Sequence, residues 1–383
     1  MPDATPRLLE VSTLFLKLGA ISFGGPAAHI ALMEQEVVHK RGWLSREHFL
    51  DLLAATNLVP GPNATEMAIH IGFVRAGWPG LVAGGAAFIL PAFLISLTLS
   101  VIYTRFGTLP QGEALFYGVN PAVLAIVLVA TYRLGRSALA DKRAIALGVA
   151  CLAAALLGVH EVIVLLAAGL TGVLLYAPPR WPWRAGALLA WGTLARLAKA
   201  AALLDSRLVQ LGLFFLKVGA LLFGSGMMLF VFIQRDIVTR YGWLTQRQLL
   251  DAITVGQMTP GPVLSSATFI GYLVAGLSGA VISTVAVFLP SFVIVALTGP
   301  WIPRLRGSPT AQAFLRGVNA AVVALILTVA AALFRSAIVD VWTALILLAG
   351  LVALLRFRVD TVWLALGGAL CGFLRYLIAA RPD

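Results

Sequence analysis

The segment FLKLGAISFGG, from Phe15 to Gly25, returns 200 positions later as FLKVGALLFGS, from Phe215 to Ser225. The correspondence runs on through Gly42-Trp43-Leu44 and Gly242-Trp243-Leu244 to Pro60-Gly61-Pro62 and Pro260-Gly261-Pro262. Of the 48 pairs from Phe15 to Pro62, 16 are identical, and they include Gly, Pro, Lys, Asp and Trp, which packing alone would not select. A chain built from two copies of one unit must fold each copy into the same element order. When both copies carry helix-breaking residues at the same depth, the paired breaks point to the binding site of a secondary transporter.

Hydrophobic residues make up 60% of the 383 and charged residues 11%, with mean hydropathy +0.95. A soluble domain has about 25% charged residues, so this chain belongs in a bilayer. Candidate spans are 81–103, 114–132, 144–157 and 162–176, with counterparts near 280–298, 317–334, 341–355 and 361–379. The runs are solidly apolar and do not alternate, which predicts an all-α integral membrane protein rather than a barrel. No short leader with a small-residue cleavage site precedes the first apolar stretch, so the first helix is expected to stay uncleaved in a multi-pass protein. The net charge of +12 sits in short loops, where the positive-inside bias accounts for it; nucleic acid is not an expected partner.

Cys151 and Cys371 are not equivalent positions, and both fall in apolar runs, so they are read as small buried hydrophobes. The five histidines form no His-x-x-x-His pair, and there is no Walker A pattern or Gly-x-Ser-x-Gly elbow. An enzyme, an ATP-driven pump, a metal centre and a cofactor are therefore not expected.

Loop charge sets the orientation of the two halves. The loop near 105–113 carries one Arg, and its counterpart carries Arg304, Arg306 and Arg316. The next loop holds Arg133, Arg136, Lys142 and Arg143 against Arg335 alone, and the third is a bare Gly158–Glu161 turn against Arg356 and Arg358. The bias reverses at all three of these loops, while the loop around 34–48 does not discriminate because each half has three basic residues there, and this predicts two inverted repeats, 1–176 and 207–383. They are joined by a cytoplasmic linker, 177–206, whose apolar run near 186–194 is too short to span. Inversion needs an odd number of crossings per half, so about ten transmembrane helices plus two re-entrant or broken elements are expected.

Phe23-Gly24-Gly25-Pro26 stops one apolar helix and restarts another, with Pro at a first-turn position where its missing N–H costs nothing. The exposed amides of the new helix carry partial positive charge and suit an anion; a simple kink would leave the same trace. Pro60-Gly61-Pro62 repeats the logic, with Asn63, Thr65 and Glu66 in the next turn and Asn57 just before it. The second copy offers Gly224, Ser225, Gln257, Pro260, Gly261, Pro262, Ser265 and Ser266. Lys17 and Lys217 lie inside apolar helices and must face a cavity, a partner or the interface. Glu66 faces Ser266 across the repeat and reads as a proton carrier or as a partner for Lys17 or Arg75. Asp51 and Asp251 read as interfacial or structural acids, and Asn120 and Asn319 as helix caps.

The ordered set Phe23-Gly24-Gly25-Pro26-Ala27-Ala28-His29-Ile30, Gly42-Trp43-Leu44, Pro60-Gly61-Pro62 and Ala76-Gly77-Trp78, with its degenerate second copy, resembles the chromate ion transporter family in its long, two-domain form. The resemblance covers nearly the whole chain. It implies a carrier of the bacterial inner (plasma) membrane that exports chromate, and it leaves open sulfate or another oxyanion as cargo, protons as coupling ion, a passive anion channel, and a homodimer. The family's motif positions fall on Gly24, Gly25, Pro26, Pro60, Gly61 and Pro62, and on Gly224, Pro260, Gly261 and Pro262. Two features depart from the pattern. Asn57 and Asn63-Ala64-Thr65-Glu66 stand where a Gln and a Ser-Gln are usual, and Ser225-Gly226 replaces Gly25-Pro26. A Glu beside an anion site repels a dianion unless it is protonated or paired, so it either couples proton movement or marks a different cargo.

Overall fold

The computed structural model describes residues 4–23, 25–107, 109–177, 206–223, 226–298, 308–357 and 359–379. Among these residues the secondary structure is helical throughout. The first half comprises α1 (Ala4–Ile21), α2 (Pro26–Glu34), which continues as a π-helix over Gln35–Lys40, α3 (Arg46–Thr56), α4 (Asn63–Phe106), α5 (Pro110–Ala138), α6 (Lys142–Leu156) and α7 (Glu161–Tyr176). The second half repeats the order. It has α8 (Arg207–Leu221), α9 (Met228–Phe232) with its π-helical continuation Ile233–Arg240, α10 (Gln246–Met258), α11 (Ser266–Thr298), α12 (Pro309–Ala337), α13 (Val341–Arg356) and α14 (Thr361–Ala379). Five of the described helices are long and apolar enough to cross a membrane. The linker and the loop holding Arg304 and Arg306 lie outside the described residues.

α4 is a hairpin of two helical arms. Ala76 leaves helical geometry at φ −137° and Gly77 at φ 64°, ψ −150°, a left-handed conformation that glycine adopts without steric cost. The arms then run back along each other through glycines. A Cβ on Gly80 would lie 2.2 Å from the Gly72 carbonyl oxygen, and one on Gly84 would lie 2.6 Å from that of Ala68. α11 turns in the same way at Ala275–Gly276, where Gly271 and Gly279 meet and Thr268 hydrogen-bonds Thr284 at 2.7 Å. Close approach through small residues is how helices associate in lipid, where apolar burial between helices gives little drive.

The halves exchange equivalent contacts. α5 packs on α14 with Gly118 against Gly368 and Gly372, and α12 packs on α7 with Gly317 against Ala168 and Gly172. The closing helix of each half thus lies on the other half. Two polar clusters seal these seams. Asp141, the N-cap of α6, accepts from the Tyr176 hydroxyl at 2.7 Å, and Arg316 lies over the Tyr176 ring at 5.3 Å. Asp340, the N-cap of α13, accepts from Tyr117 at 2.6 Å and pairs with Arg375 at 3.0 Å, while Arg375 lies over the Tyr117 ring at 4.1 Å. The positions correspond at an offset of 199, with Tyr and Arg having traded places.

Asn120 does not cap a helix. It lies mid-way along α5, where its amide donates to Asp251 Oδ1 at 3.2 Å and Tyr103 donates to Asp251 Oδ2 at 2.7 Å. Asn319 is likewise interior to α12. Pro110 and Pro309 sit at the N-terminal ends of these two helices, so each Asn falls about three turns into its helix. Both cysteines are free, but only Cys151 is buried; Cys371 is exposed on α14.

Candidate functional site

The apolar run of α1 ends at Ile21. Gly25 takes φ 81°, ψ −174° as the N-cap of α2, and Pro26 stands in the first turn. A Cβ there would meet nothing within 4 Å, so Gly25 is needed for its backbone and borders open space. After α3, the Pro60-Gly61-Pro62 loop delivers the chain to Asn63, the first residue of α4. Pro62 is the N-cap rather than the first helical residue, because it is extended at φ −80°, ψ 102°. In the second half Pro262 precedes a 3-10 turn, Val263–Ser265, that leads into α11.

These four helix starts converge. The Gly61 N–H donates to the Leu222 carbonyl at 2.8 Å, and the Gly261 N–H donates to the Ser22 carbonyl at 2.9 Å. Ser22 and Leu222 are equivalent, as are Gly61 and Gly261, so each Pro-Gly-Pro loop docks on the break behind the other half's first helix. Reciprocal contacts of this kind are what a two-fold relation requires. Between the loops lies a cavity of about 350 Å³. Its walls include Gly25, Pro26 and Ala27 from the start of α2, Gly61 to Ala64 from α4, Gly226 and Met227 ahead of α9, and Gly261 to Leu264 ahead of α11.

Among the described residues, no side chain caps any of these four helix starts. Elsewhere Ser45, Asp141, His160, Thr245, Ser308 and Asp340 cap α3, α6, α7, α10, α12 and α13, whereas α5 and α8 also start without a side-chain cap, so what sets the four apart is that they meet at one cavity. A helix start leaves its first amide N–H groups without intrahelical acceptors, and here no side chain substitutes. On the walls, Ser22 Oγ and His29 Nδ1 are buried without partners among the described residues, while His29 Nε2 faces the Ser22 carbonyl at 3.0 Å. Gln257 and Asn63 add amides; Gln257 Nε2 lies 3.7 Å from Met227 Sδ, and Asn63 donates to Asn57 Oδ1.

Several expected site residues stand behind the wall. Glu66 and Thr65 are fully buried, and among the described residues neither the Glu66 carboxylate nor Thr65 Oγ1 has a hydrogen-bond partner. A Cβ on Gly61 would come 2.1 Å from Glu66 Oε1 and 2.9 Å from Ser291 Oγ, so the carboxyl is pressed against the Gly61 backbone at the seam between the halves. Ser265 gives its carbonyl to Ser96 at 2.9 Å, and Ser266 Oγ turns back to the Val263 carbonyl. Pro60 and Pro260 shape their loops without lining the cavity. Gly24, Gly224 and Ser225 lie outside the described residues.

Lys17 and Lys217 are not at the cavity, and Glu66 is not their partner. Lys17 pairs with Glu36 at 3.2 Å, and Lys217 pairs with Asp236 while lying 5.4 Å and 5.5 Å from the Phe214 and Phe232 ring centres. Arg75 pairs with Glu10 at 2.6 Å. The readable signal was the acid 19 residues after each lysine, Glu36 and Asp236, which the duplication keeps. Sequence reasoning also missed His29 and Arg133 as wall residues. Away from the cavity, the fold brings His160, Glu161 and Asp236 within 4.8 Å of one another. Those donors are committed, since Arg235 pairs with Glu161 at 3.2 Å and Lys217 pairs with Asp236.

Apolar helices long enough to cross a bilayer, folded as two equivalent halves around a cavity ringed by uncapped helix starts, define an all-α membrane transporter. The model of the family described as "Chromate transporter" matches twice, over residues 9–173 and 209–373. A "Chromate transport protein" of Cupriavidus metallidurans is 36% identical over 97% of this chain and 94% of its own. A "Probable chromate transport protein" of Synechococcus elongatus is 34% identical over 91% and 89%, and a "Chromate transport protein" of Pseudomonas aeruginosa is 36% identical over 85% and 80%. No solved structure matches the chain. The chain belongs to the chromate transporter family.

Proposed function

We propose that this protein is a secondary transporter that exports chromate across the bacterial inner membrane by alternating access. The anion is held in the central cavity by the amide ends of α2, α4 and their second-half equivalents. The observation that carries this reading is the convergence of four helix starts, without side-chain caps among the described residues, on one cavity. Fixed helix dipoles attract a dianion without the desolvation cost of several buried cations, so binding stays reversible. The names of the relatives supply chromate as cargo.

The halves are inverted in this reading. Support comes from the two Asp-Tyr-Arg seals. Tyr117 belongs to one and Asp141 to the other, and most of α5 lies between them, about 32 Å at 1.5 Å per residue. Equivalent residues thus fall at opposite ends of a helix longer than the ~30 Å hydrocarbon core. With α4 and α11 as hairpins, each half has α1 or α8 and one long arm, then three further helices, which makes five crossings. The shorter first arms and the Pro-Gly-Pro loops supply the re-entrant elements. Protons are the coupling ion, and Glu66, sealed behind Gly61, is the group that carries them.

Reconstituted protein is expected to take up chromate saturably, with uptake driven by a proton gradient and lost in Gly25→Val. Unaltered uptake in that variant would remove the anion site from this cavity, and currents far above carrier turnover would replace the carrier with a channel. Sulfate is expected to compete, because backbone amides read charge and shape and little else.

A further inference from the structure

We propose that Arg133 captures the anion at the cavity mouth, and that this mouth opens on the cytoplasmic side; the inference rests on the anion-transport reading above. Among the described lining residues Arg133 is the one Lys or Arg; the other polar walls are amides, hydroxyls and His29. It is itself exposed, so it marks where the cavity meets the surface. Its guanidinium is barely engaged. Nη2 reaches the Leu354 carbonyl at 3.4 Å, and among the described residues it pairs with no carboxylate. An uncommitted guanidinium at the entrance of a cavity lined with amides offers a planar fork of donors to an oxyanion, and its charge acts over a longer range than helix ends do. The equivalent position in the second half is Ala332, so the duplication does not repeat this charge.

The side follows from the neighbours. α5 runs on from Arg133 to Asp141, which binds Tyr176. At the same end Arg143 donates to the Leu175 carbonyl at 2.9 Å, Arg316 lies over Tyr176, and Arg356 follows Leu354 by two residues. The inter-half linker leaves from here, after Tyr176. Basic residues gathered at one end of a helical membrane protein mark the cytoplasmic face.

The test uses everted vesicles, which present that face to added chromate. Arg133→Gln should raise the KM for chromate about tenfold while leaving the maximal rate within about twofold, the pattern of a lost capture interaction. Arg133→Lys should recover most of the affinity, because the charge survives though the fork does not. Arg136→Gln, on the same helix and exposed but outside the cavity, should match the parent protein. Added salt should weaken uptake by the parent and leave Arg133→Gln nearly indifferent. In a background freed of Cys151 and Cys371, Arg133→Cys should react with an impermeant thiol reagent in everted but not right-side-out vesicles, and chromate should slow that reaction.

A parental KM in Arg133→Gln, or labelling only from the opposite face, would overturn the inference. If Gly61→Val abolishes uptake while Arg133→Gln is normal, the cavity stands and the role of Arg133 falls. If neither variant alters uptake, the anion site itself is elsewhere.

Discussion

The two halves share a backbone plan and differ in the polar groups hung on it. At the centre both Gly61 and Gly261 take positive φ, 152° and 87°, and both donate to the turn after the other half's first helix. Around them the side chains have parted. Behind Gly61 lie Glu66 and Ser291, whereas the equivalent positions behind Gly261 are Ser266 and Ala92. Polar partners on one side match a hydroxyl and a methyl on the other. Duplication has thus preserved the features that break helices and dock loops, while one half has taken on the charged group. In the proposed transport cycle, the shared backbone plan serves the movement of the halves, and the asymmetry assigns proton chemistry to one of them.

Replacing the central glycines should have the largest effect, and an unequal one. In Gly61→Ala the new Cβ meets Glu66 Oε1 and Ser291 Oγ at 2.1 and 2.9 Å, whereas in Gly261→Ala it meets Ala92 Cβ at 3.1 Å and the Gly19 carbonyl oxygen at 3.3 Å. Both positions also strain a non-glycine backbone, at about 1–3 kcal/mol each. Chromate flux should fall about 100-fold or more in the first variant and by about tenfold in the second, since a displaced carboxyl adds to the backbone strain. Equal losses in proteoliposome flux would erase the distinction drawn between the halves.

Next comes Glu66→Gln. The amide keeps size and shape but cannot exchange a proton, so flux should persist without responding to an imposed proton gradient. The parent should gain about tenfold from that gradient, a difference of about 1.4 kcal/mol. Ser291→Ala should retain the response in weakened form. A Glu66→Gln protein still driven by the gradient would place coupling elsewhere.

Much of this architecture was readable from residue order. Gly and Pro at Gly25-Pro26 and Pro60-Gly61-Pro62 gave the breaks, because few residues end a helix so decisively. The repeat also gave the expectation that the two sets would meet. The hairpin turn at Ala76–Gly77 was only half legible: Arg75, Gly77 and Pro79-Gly80 set the start of a span at 81, but residue order did not say that the chain doubles back along the helix before it. The partners of Lys17 and Lys217 were not legible. Glu36 and Asp236 sit in π-helical segments whose register shifts side chains away from ideal helical spacing, so the pairing emerges only when the elements are placed. Arg133 was read as part of a loop because its neighbours Arg136, Lys142 and Arg143 are basic; α5 in fact continues past it to Ala138, and this carries it to the cavity.

The duplicated lysines sharpen the comparison at the level of stability. Glu36 holds Lys40 at 3.0 Å and Arg41 at 3.5 Å besides Lys17, so Lys17→Met leaves the acid partnered. Its cost should stay within about 1 kcal/mol, as for exposed pairs. Asp236 is buried and has Lys217 as its described ion-pair partner, so Lys217→Met strands a carboxylate and should cost about 3 kcal/mol, the low end for broken buried pairs because Lys217 is one-third exposed. Thermal unfolding of the two variants in detergent measures the gap, and equal shifts would mean that the neighbours of Glu36 contribute nothing.

The smallest expected effect concerns the two seals. Hydrogen bonds hold both aspartates below the usual carboxylate range, chiefly from the Ala144 backbone N–H for Asp141 and from the Tyr117 hydroxyl for Asp340. A depressed carboxyl stabilises the folded state above its unfolded value, near 3.9, and that contribution fades as pH falls through the lower folded value. Acidification below about pH 4 should therefore loosen both ends of the molecule, and Asp340→Asn or Asp141→Asn should remove part of that acid sensitivity. The two should differ, because Arg375 pairs directly with Asp340 whereas Arg316 only covers the Tyr176 ring. Asp340→Asn should shift Tm by a degree or two more than Asp141→Asn at neutral pH, converging below about pH 3. Since each seal ties a closing helix to the opposite half, the stronger one should also resist the parting of the halves at its own end. Asp340→Asn should then raise thiol labelling of positions near Tyr117 more than Asp141→Asn raises labelling near Tyr176, and the reverse order would mean that the exchanged Tyr and Arg carry equal strength in either arrangement.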